Sequence, residues 1–143
     1  SDLHLNPVVQ ELAKAHLGDH ERIHLIAPLD VIDFHNVAAR SYMIMSDSGG
    51  VQEEAPSMGI PVLVLRDTTE RPEGVEAGTL KLVGTETKDV IEAMTELLDN
   101  AALHKKMSEA ANPYGDGKAS QRILDCIAYE FGCTDHRPEE FKY

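Results

Sequence analysis

The sequence predicts a doubly wound α/β domain, a parallel sheet covered by helices on both faces. Short apolar, β-branched runs alternate with stretches of helical period along most of the chain. Two of those runs, Tyr42-Met43-Ile44-Met45 and Pro61-Val62-Leu63-Val64-Leu65, show no in–out alternation, as strands buried on both faces do not. The connections are short and punctuated by Gly, Pro, Ser and Asn, which suits strand–helix–strand units.

Asn6-Pro7 opens the first helix, with a capping side chain and proline at the first helical position. Val8, Val9, Leu12, Ala13 and Leu17 recur at helical spacing behind it. Ile23-His24-Leu25-Ile26 reads as a short strand ended by Pro28, and residues 30–40 read as helix. After strand 42–45, the turn Ser46-Asp47-Ser48-Gly49-Gly50 opens a helix over 51–58, which Gly59 stops. Strand 61–65 follows. Residues 66–79 show no clean period and read as a shaped loop, before a further strand at 80–83. Val90, Ile91, Met94, Leu97 and Leu98 form the apolar stripe of a helix over 87–98. Asn100 caps another helix reaching about 110. Asn112-Pro113-Tyr114-Gly115-Asp116-Gly117 breaks the pattern, and a last helix covers 118–131 with Arg122, Ile123, Ile127 and Phe131 on neighbouring turns. The tail, 134–143, is polar and expected to be loose or docked on a surface not included here.

A chain of 143 residues, 42% hydrophobic and 27% charged, is the size of one domain with a real core. No apolar run approaches the roughly 20 residues that span a bilayer, and no signal-peptide pattern opens it, so no membrane is expected. The start, Ser1-Asp2-Leu3-His4, reads as a cut inside a longer protein. A net charge of −12 argues against nucleic acid as a partner. It leaves a phosphate ligand open, because backbone N–H groups at a helix start hold one without a basic surface. Cys126 and Cys133 are expected to be buried, reduced thiols on one helix face. His16, His20 and His24 recur every four residues, the spacing of a helical metal site. Asp19, Glu21 and Arg22 look like a helix end between them, so the histidines are expected to be solvated and no metal is expected.

In doubly wound sheets ligands bind beyond the carboxyl ends of the strands. There Ser48-Gly49-Gly50 offers a hydroxyl and two residues without side chains, ahead of a helix presenting free N–H groups. A carboxylate from Gln52-Glu53-Glu54 can accept both hydroxyls of a ribose. The same residues also suit a plain cap and tight turn with dipole-complementing acids. Arg66 and Arg71, in Arg66-Asp67-Thr68-Thr69-Glu70-Arg71-Pro72-Glu73, can neutralise a diphosphate or form a solvated salt-bridged loop with Glu70 and Glu73.

Taken in order, Ser46-Asp47-Ser48-Gly49-Gly50-Val51-Gln52-Glu53-Glu54-Ala55-Pro56, Gly59-Ile60-Pro61-Val62-Leu63 and Arg66-Asp67-Thr68-Thr69-Glu70-Arg71-Pro72-Glu73-Gly74 closely resemble the non-hydrolysing UDP-N-acetylglucosamine 2-epimerases. His4-Leu5-Asn6-Pro7, Pro28-Leu29, Ala77-Gly78-Thr79, Leu82-Val83-Gly84 and Asn112-Pro113-Tyr114-Gly115-Asp116-Gly117 extend the resemblance over residues 4 to about 131.

The resemblance implies a Rossmann-like domain, the C-terminal half of a glycosyltransferase-B-type two-domain fold, occupying residues 1–143. It implies that Ser48, Gly49 and Gly50 bind the diphosphate, that Glu54 accepts the ribose hydroxyls, and that Phe34 stacks on uracil. Arg71 would stand near the phosphates, and His4 would face the sugar cleft or a second UDP-sugar site. The family's catalytic carboxylates belong to the upstream domain, so no catalytic residue is expected in this chain and the chain alone is expected to be inactive. No cofactor is implied. The implied partners are UDP-N-acetylglucosamine or UDP, the chain's own N-terminal domain, and a second copy in a full-length homodimer. The implied setting is cytoplasmic supply of cell-envelope polysaccharide precursors. A free-standing UDP-sugar sensor, a sister epimerase or hydrolysing relative for another UDP-amino sugar, and a retaining glycosyltransferase fragment are the competing readings. The Thr69-Glu70-Arg71-Pro72-Glu73-Gly74 and Asn112-to-Gly117 segments argue against the last of these.

Overall fold

The computed structural model describes residues 6–142 and divides into two compact units, one up to Arg40 and one from Ser41 onward. In the first, Asn6 accepts a hydrogen bond from the Val8 N–H (3.0 Å) and caps α1 (Pro7–Leu17), with Pro7 at its first position. Asp30 caps α2 (Val31–Ala38) through the Asp33 N–H at 2.9 Å. The strand expected at 23–26 is reduced to one bridge residue, Ile26. A turn at Glu21-Arg22 and Pro28, which has no N–H to give a ladder, leave little room for more.

The second unit holds a three-stranded parallel sheet in the order β1 (Ile44–Ser46), β2 (Val62–Val64), β3 (Leu80–Leu82). Ile44 sits opposite Val62, and Val62 opposite Leu80. Val62, Leu63 and Val64 have no exposed surface. Burying each stabilises the fold by about 1.5–3 kcal/mol before chain entropy is counted.

Side-chain alternation splits the core into two layers. On one face Leu63 and Val83 pack with Ala93 and Leu97 of α5 (Thr87–Asp99) and Met107 of α6 (Ala101–Ser108). On the other, Val62, Val64 and Leu80 pack with Ala55, Val51 and Met58. Those residues come from α3 (Gly49–Glu54) and the 3₁₀ turn Ala55–Met58 that continues it. The parallel sheet is therefore covered on both faces, as the apolar strand runs predict.

The helix expected over 51–58 is thus an α-helix followed by a tighter turn, closed by Gly59 at φ 69°. The supposed loop 66–79 contains α4 (Pro72–Ala77), with Gly78 at φ 84° after it. Pro72 at the first position, Glu73 in the first turn and glycine past the end are helix signals. Only Val75 and Ala77 are apolar in this helix, so no period revealed it.

α7 (Ala119–Glu130) buries none of its residues, and Cys126 and Cys133 are exposed rather than buried. Cys133 also lies beyond the helix end, off the face that holds Cys126. The described tail returns to this helix. The Arg122 guanidinium carbon lies 5.5 Å from the centre of the Phe141 ring, and a cavity of about 570 Å³ opens between Arg122 and Glu139, Glu140 and Lys142. Among the described residues, no helix is long and apolar enough to cross a membrane.

Candidate functional site

β1 and β2 run parallel, so the chain leaves both strands on the same sheet edge, and the two loops meet there. The first is Asp47-Ser48-Gly49-Gly50. Ser48 is the N-cap of α3 at φ −73°, ψ 127°, but its side chain makes no capping hydrogen bond. Its own N–H donates to Ser46 Oγ (3.0 Å). The first N–H groups of α3 have no acceptor within the helix. No Cβ stands over Gly49 or Gly50. One built on Gly49 would lie 3.8 Å from Arg71 Nη2; one on Gly50 would lie 3.8 Å from Glu54 Oε1 and 3.9 Å from Ser48 Oγ. Serine hydroxyl, glutamate carboxylate and arginine guanidinium therefore stand around one bare stretch of backbone.

The second loop delivers Arg71. Its Nε donates to Glu53 Oε1, and its Nη1 donates to the Glu70 carbonyl (3.3 Å). The Glu53 hydrogen bond pushes the guanidinium above the ordinary arginine value, so it stays charged. Arg66 is bound instead to Glu70 at 2.7 Å. The Glu70 backbone N–H and then Arg66 hold that carboxyl below its usual range. The sequence places Glu70 and Glu73 as partners for the two arginines; Glu70 takes Arg66, whereas Arg71 turns to Glu53.

A partly buried network, centred on Gln52, underlies the two loops. Gln52 is fully buried; its Nε2 donates to the Ser48 carbonyl (3.3 Å) and its Oε1 accepts from Thr69 Oγ1 (2.6 Å). Thr69 Oγ1 accepts in turn from the Arg71 N–H at 3.0 Å. Tyr114 reaches the other side, its hydroxyl donating to the Arg71 carbonyl at 3.4 Å. Burial pushes the Tyr114 phenol up. Asn112 fixes the Tyr114 backbone, accepting from its N–H at 3.0 Å and donating to the Gly115 carbonyl at 3.1 Å. Asp116 grips Arg122 through both oxygens, at 2.7 and 2.8 Å. Gln52, Thr69 and Tyr114 lie inside the sequence motifs, but nothing local in the sequence marks any of them for a role. A buried glutamine on a short helix carries no sequence signal of its own, because its burial depends on the loop above it.

Phe34 lies half-buried on α2 in the first unit, its ring 5.9 Å from that of His35 and tilted by 53°. His4 falls outside the described residues. α1 ends at Leu17, so His16 is helical while His20 and His24 are not. Among the described residues, no group of three or more His, Cys, Asp or Glu could hold a metal ion.

Fold and site together define a parallel α/β protein whose polar loops gather beyond the strand ends, around a glycine turn and a held arginine. The chain belongs to the UDP-N-acetylglucosamine 2-epimerase family, whose sequence profile matches residues 2–128. It is 60% identical to the UDP-N-acetylglucosamine 2-epimerase of Bacillus subtilis over 97% of this chain and 37% of that one. It is similar to an MnaA–UDP co-structure from S. aureus (57% identity, TM-score 0.91, 97% of this chain, 38% of that one). It is also similar to the Neisseria meningitidis UDP-GlcNAc 2-epimerase bound to UDP-GlcNAc (50% identity, TM-score 0.82, 87% of this chain, 33% of that one). The chain therefore spans little more than a third of the length of these relatives.

Proposed function

We propose that this chain supplies the UDP-binding half of a non-hydrolysing UDP-N-acetylglucosamine 2-epimerase. The observation that carries the reading is the convergence of Arg71 Nη2, Glu54 Oε1 and Ser48 Oγ around the bare backbone of Gly49 and Gly50. The S. aureus relative with UDP and the Neisseria relative with UDP-GlcNAc support the ligand class. In this reading the 48–50 turn and Arg71 take the diphosphate, Glu54 takes the ribose hydroxyls, and Phe34 takes the uracil face. His4 is assigned to the sugar cleft or a second nucleotide-sugar site.

The chemistry explains why a nucleotide grip matters. C2–H of the sugar lies beside no carbonyl, so direct deprotonation is difficult. Elimination avoids leaving a carbanion at C2: a base takes the C2 proton, its bonding pair forms the C1–C2 double bond, and the C1–O electron pair leaves with the β-phosphate of UDP. Re-addition of UDP at C1, with a proton to the opposite face of C2, gives the manno epimer. Backbone N–H groups and Arg71 suit the charge that develops on the departing diphosphate, and they keep it in place for return. The base and acid belong to the remaining part of the protein, as do its self-association and its place in cytoplasmic envelope-precursor synthesis.

Calorimetric titration of this chain with UDP, beside Glu54→Ala and Arg71→Ala, tests the half-site. Saturable binding weakened by both substitutions is expected; binding indifferent to both would remove the assignment. In the full-length protein, conversion in D₂O is expected to place deuterium at C2.

A further inference from the structure

Gln52 and Thr69 make a one-directional hydrogen-bond chain. The Arg71 N–H donates to Thr69 Oγ1 (3.0 Å), the Thr69 hydroxyl donates to Gln52 Oε1 (2.6 Å), and Gln52 Nε2 donates to the Ser48 carbonyl (3.3 Å). Each donor polarises the next, which strengthens such a chain where water is excluded, as it is at Gln52. Gln52 is fully buried, and the buried side-chain polar atoms among the described residues all have partners. The chain ties the start of α3 to a residue from the loop after β2, across 17 positions in sequence. With Tyr114 on the Arg71 carbonyl, the backbone of that arginine is held on both its polar groups.

We infer that Gln52 and Thr69 are positioning residues, joining the 48–50 turn to the Arg71 loop so that both meet a nucleotide diphosphate in one fixed frame. This rests on the nucleotide reading proposed above. Neither side chain needs to touch the ligand. Their effect passes through where Ser48 and Arg71 stand, and it falls on the phosphates rather than on the nucleoside.

The test is NMR-detected titration of the 143-residue chain with UDP and with uridine, in wild type, Thr69→Val and Thr69→Ser. Valine keeps the shape but leaves Gln52 Oε1 and the Arg71 N–H without their shared partner. UDP affinity is expected to fall about tenfold, the scale of one lost buried hydrogen bond. Uridine affinity is expected to stay at the wild-type value, and serine is expected to restore UDP binding. Gln52→Met, of similar volume, gives the same readout should Thr69→Val not fold. Unchanged UDP affinity in either variant overturns the inference. Equal loss of UDP and uridine, with no rescue by serine, overturns it too, since that marks general damage. A wild-type chain that binds no UDP overturns the nucleotide reading itself, and this inference with it, before any variant is compared.

Discussion

Arg71 and Glu53 are joined Nε to Oε1, while Nη2 of the same guanidinium lies 3.8 Å from where a Cβ on Gly49 would stand. One edge of the arginine is held by a carboxylate and another faces the glycine turn. Glu53 therefore orients the cation and also places a negative charge beside the proposed diphosphate.

Those two effects separate in Glu53→Gln. The amide oxygen still accepts from Arg71 Nε, but the charge is gone. UDP binding is expected to tighten about threefold at low salt, with the gain shrinking as ionic strength rises. Glu53→Ala loses the orientation as well and is expected to show no gain. Titration at two salt concentrations checks both.

Gly49→Ala separates folding from binding. A methyl there meets only Arg71 Nη2, at an ordinary contact distance of 3.8 Å. Alanine in a helix is favoured over glycine by about 0.5–1 kcal/mol, so the melting temperature is expected to hold or rise. UDP affinity is expected to fall more than about tenfold, because the methyl occupies the face a phosphate must approach. Equal UDP affinity in the variant and wild type would take the ligand off this turn.

Gly74→Ala is expected to do the reverse. A Cβ on Gly74 would overlap the Tyr114 hydroxyl and Leu80 Cδ1, with the Gly74 carbonyl already accepting from Thr79. Overpacking of this kind costs about 1–3 kcal/mol. Thermal melting reads it directly; an unchanged midpoint would mean that Tyr114 moves aside freely.

Asp116 gives a pH signature. The Arg122 hydrogen bond holds its carboxyl far below the ordinary aspartate value of 3.8. A depressed native pKa means that the unfolded chain takes up the proton first as pH falls. The stabilisation is therefore complete above about pH 5 and declines below about pH 4, towards the native pKa. The gap in melting temperature between wild type and Asp116→Asn is expected to narrow between pH 7 and pH 3. A gap constant over that range would show that the pair does not contribute in this way.

Much of the fold was legible because its signals are local. Asn6-Pro7 and Asp30 cap their helices through side chains two or three residues away, and Val62-Leu63-Val64 is apolar enough to demand burial on both faces. The glycine turn and Arg71 were legible as candidate chemistry for the same reason. α4 was not, since six residues with Gly74 inside show no helical period. Nor was the exposure of Cys126 and Cys133: Cys126 sits on α7, which buries none of its residues, and Cys133 lies past the end of that helix.

By itself, the sequence determined a parallel α/β protein with a Ser-Gly-Gly turn after one strand and an arginine loop after the next. Only the tertiary structure decided which carboxylate answers Arg71 and what holds the two loops together. Glu53 stands 18 residues before Arg71, and Gln52 stands 17 before Thr69. They meet because β1 and β2 lie parallel and adjacent, so that chain segments distant in sequence leave the sheet at the same edge and share one set of hydrogen bonds.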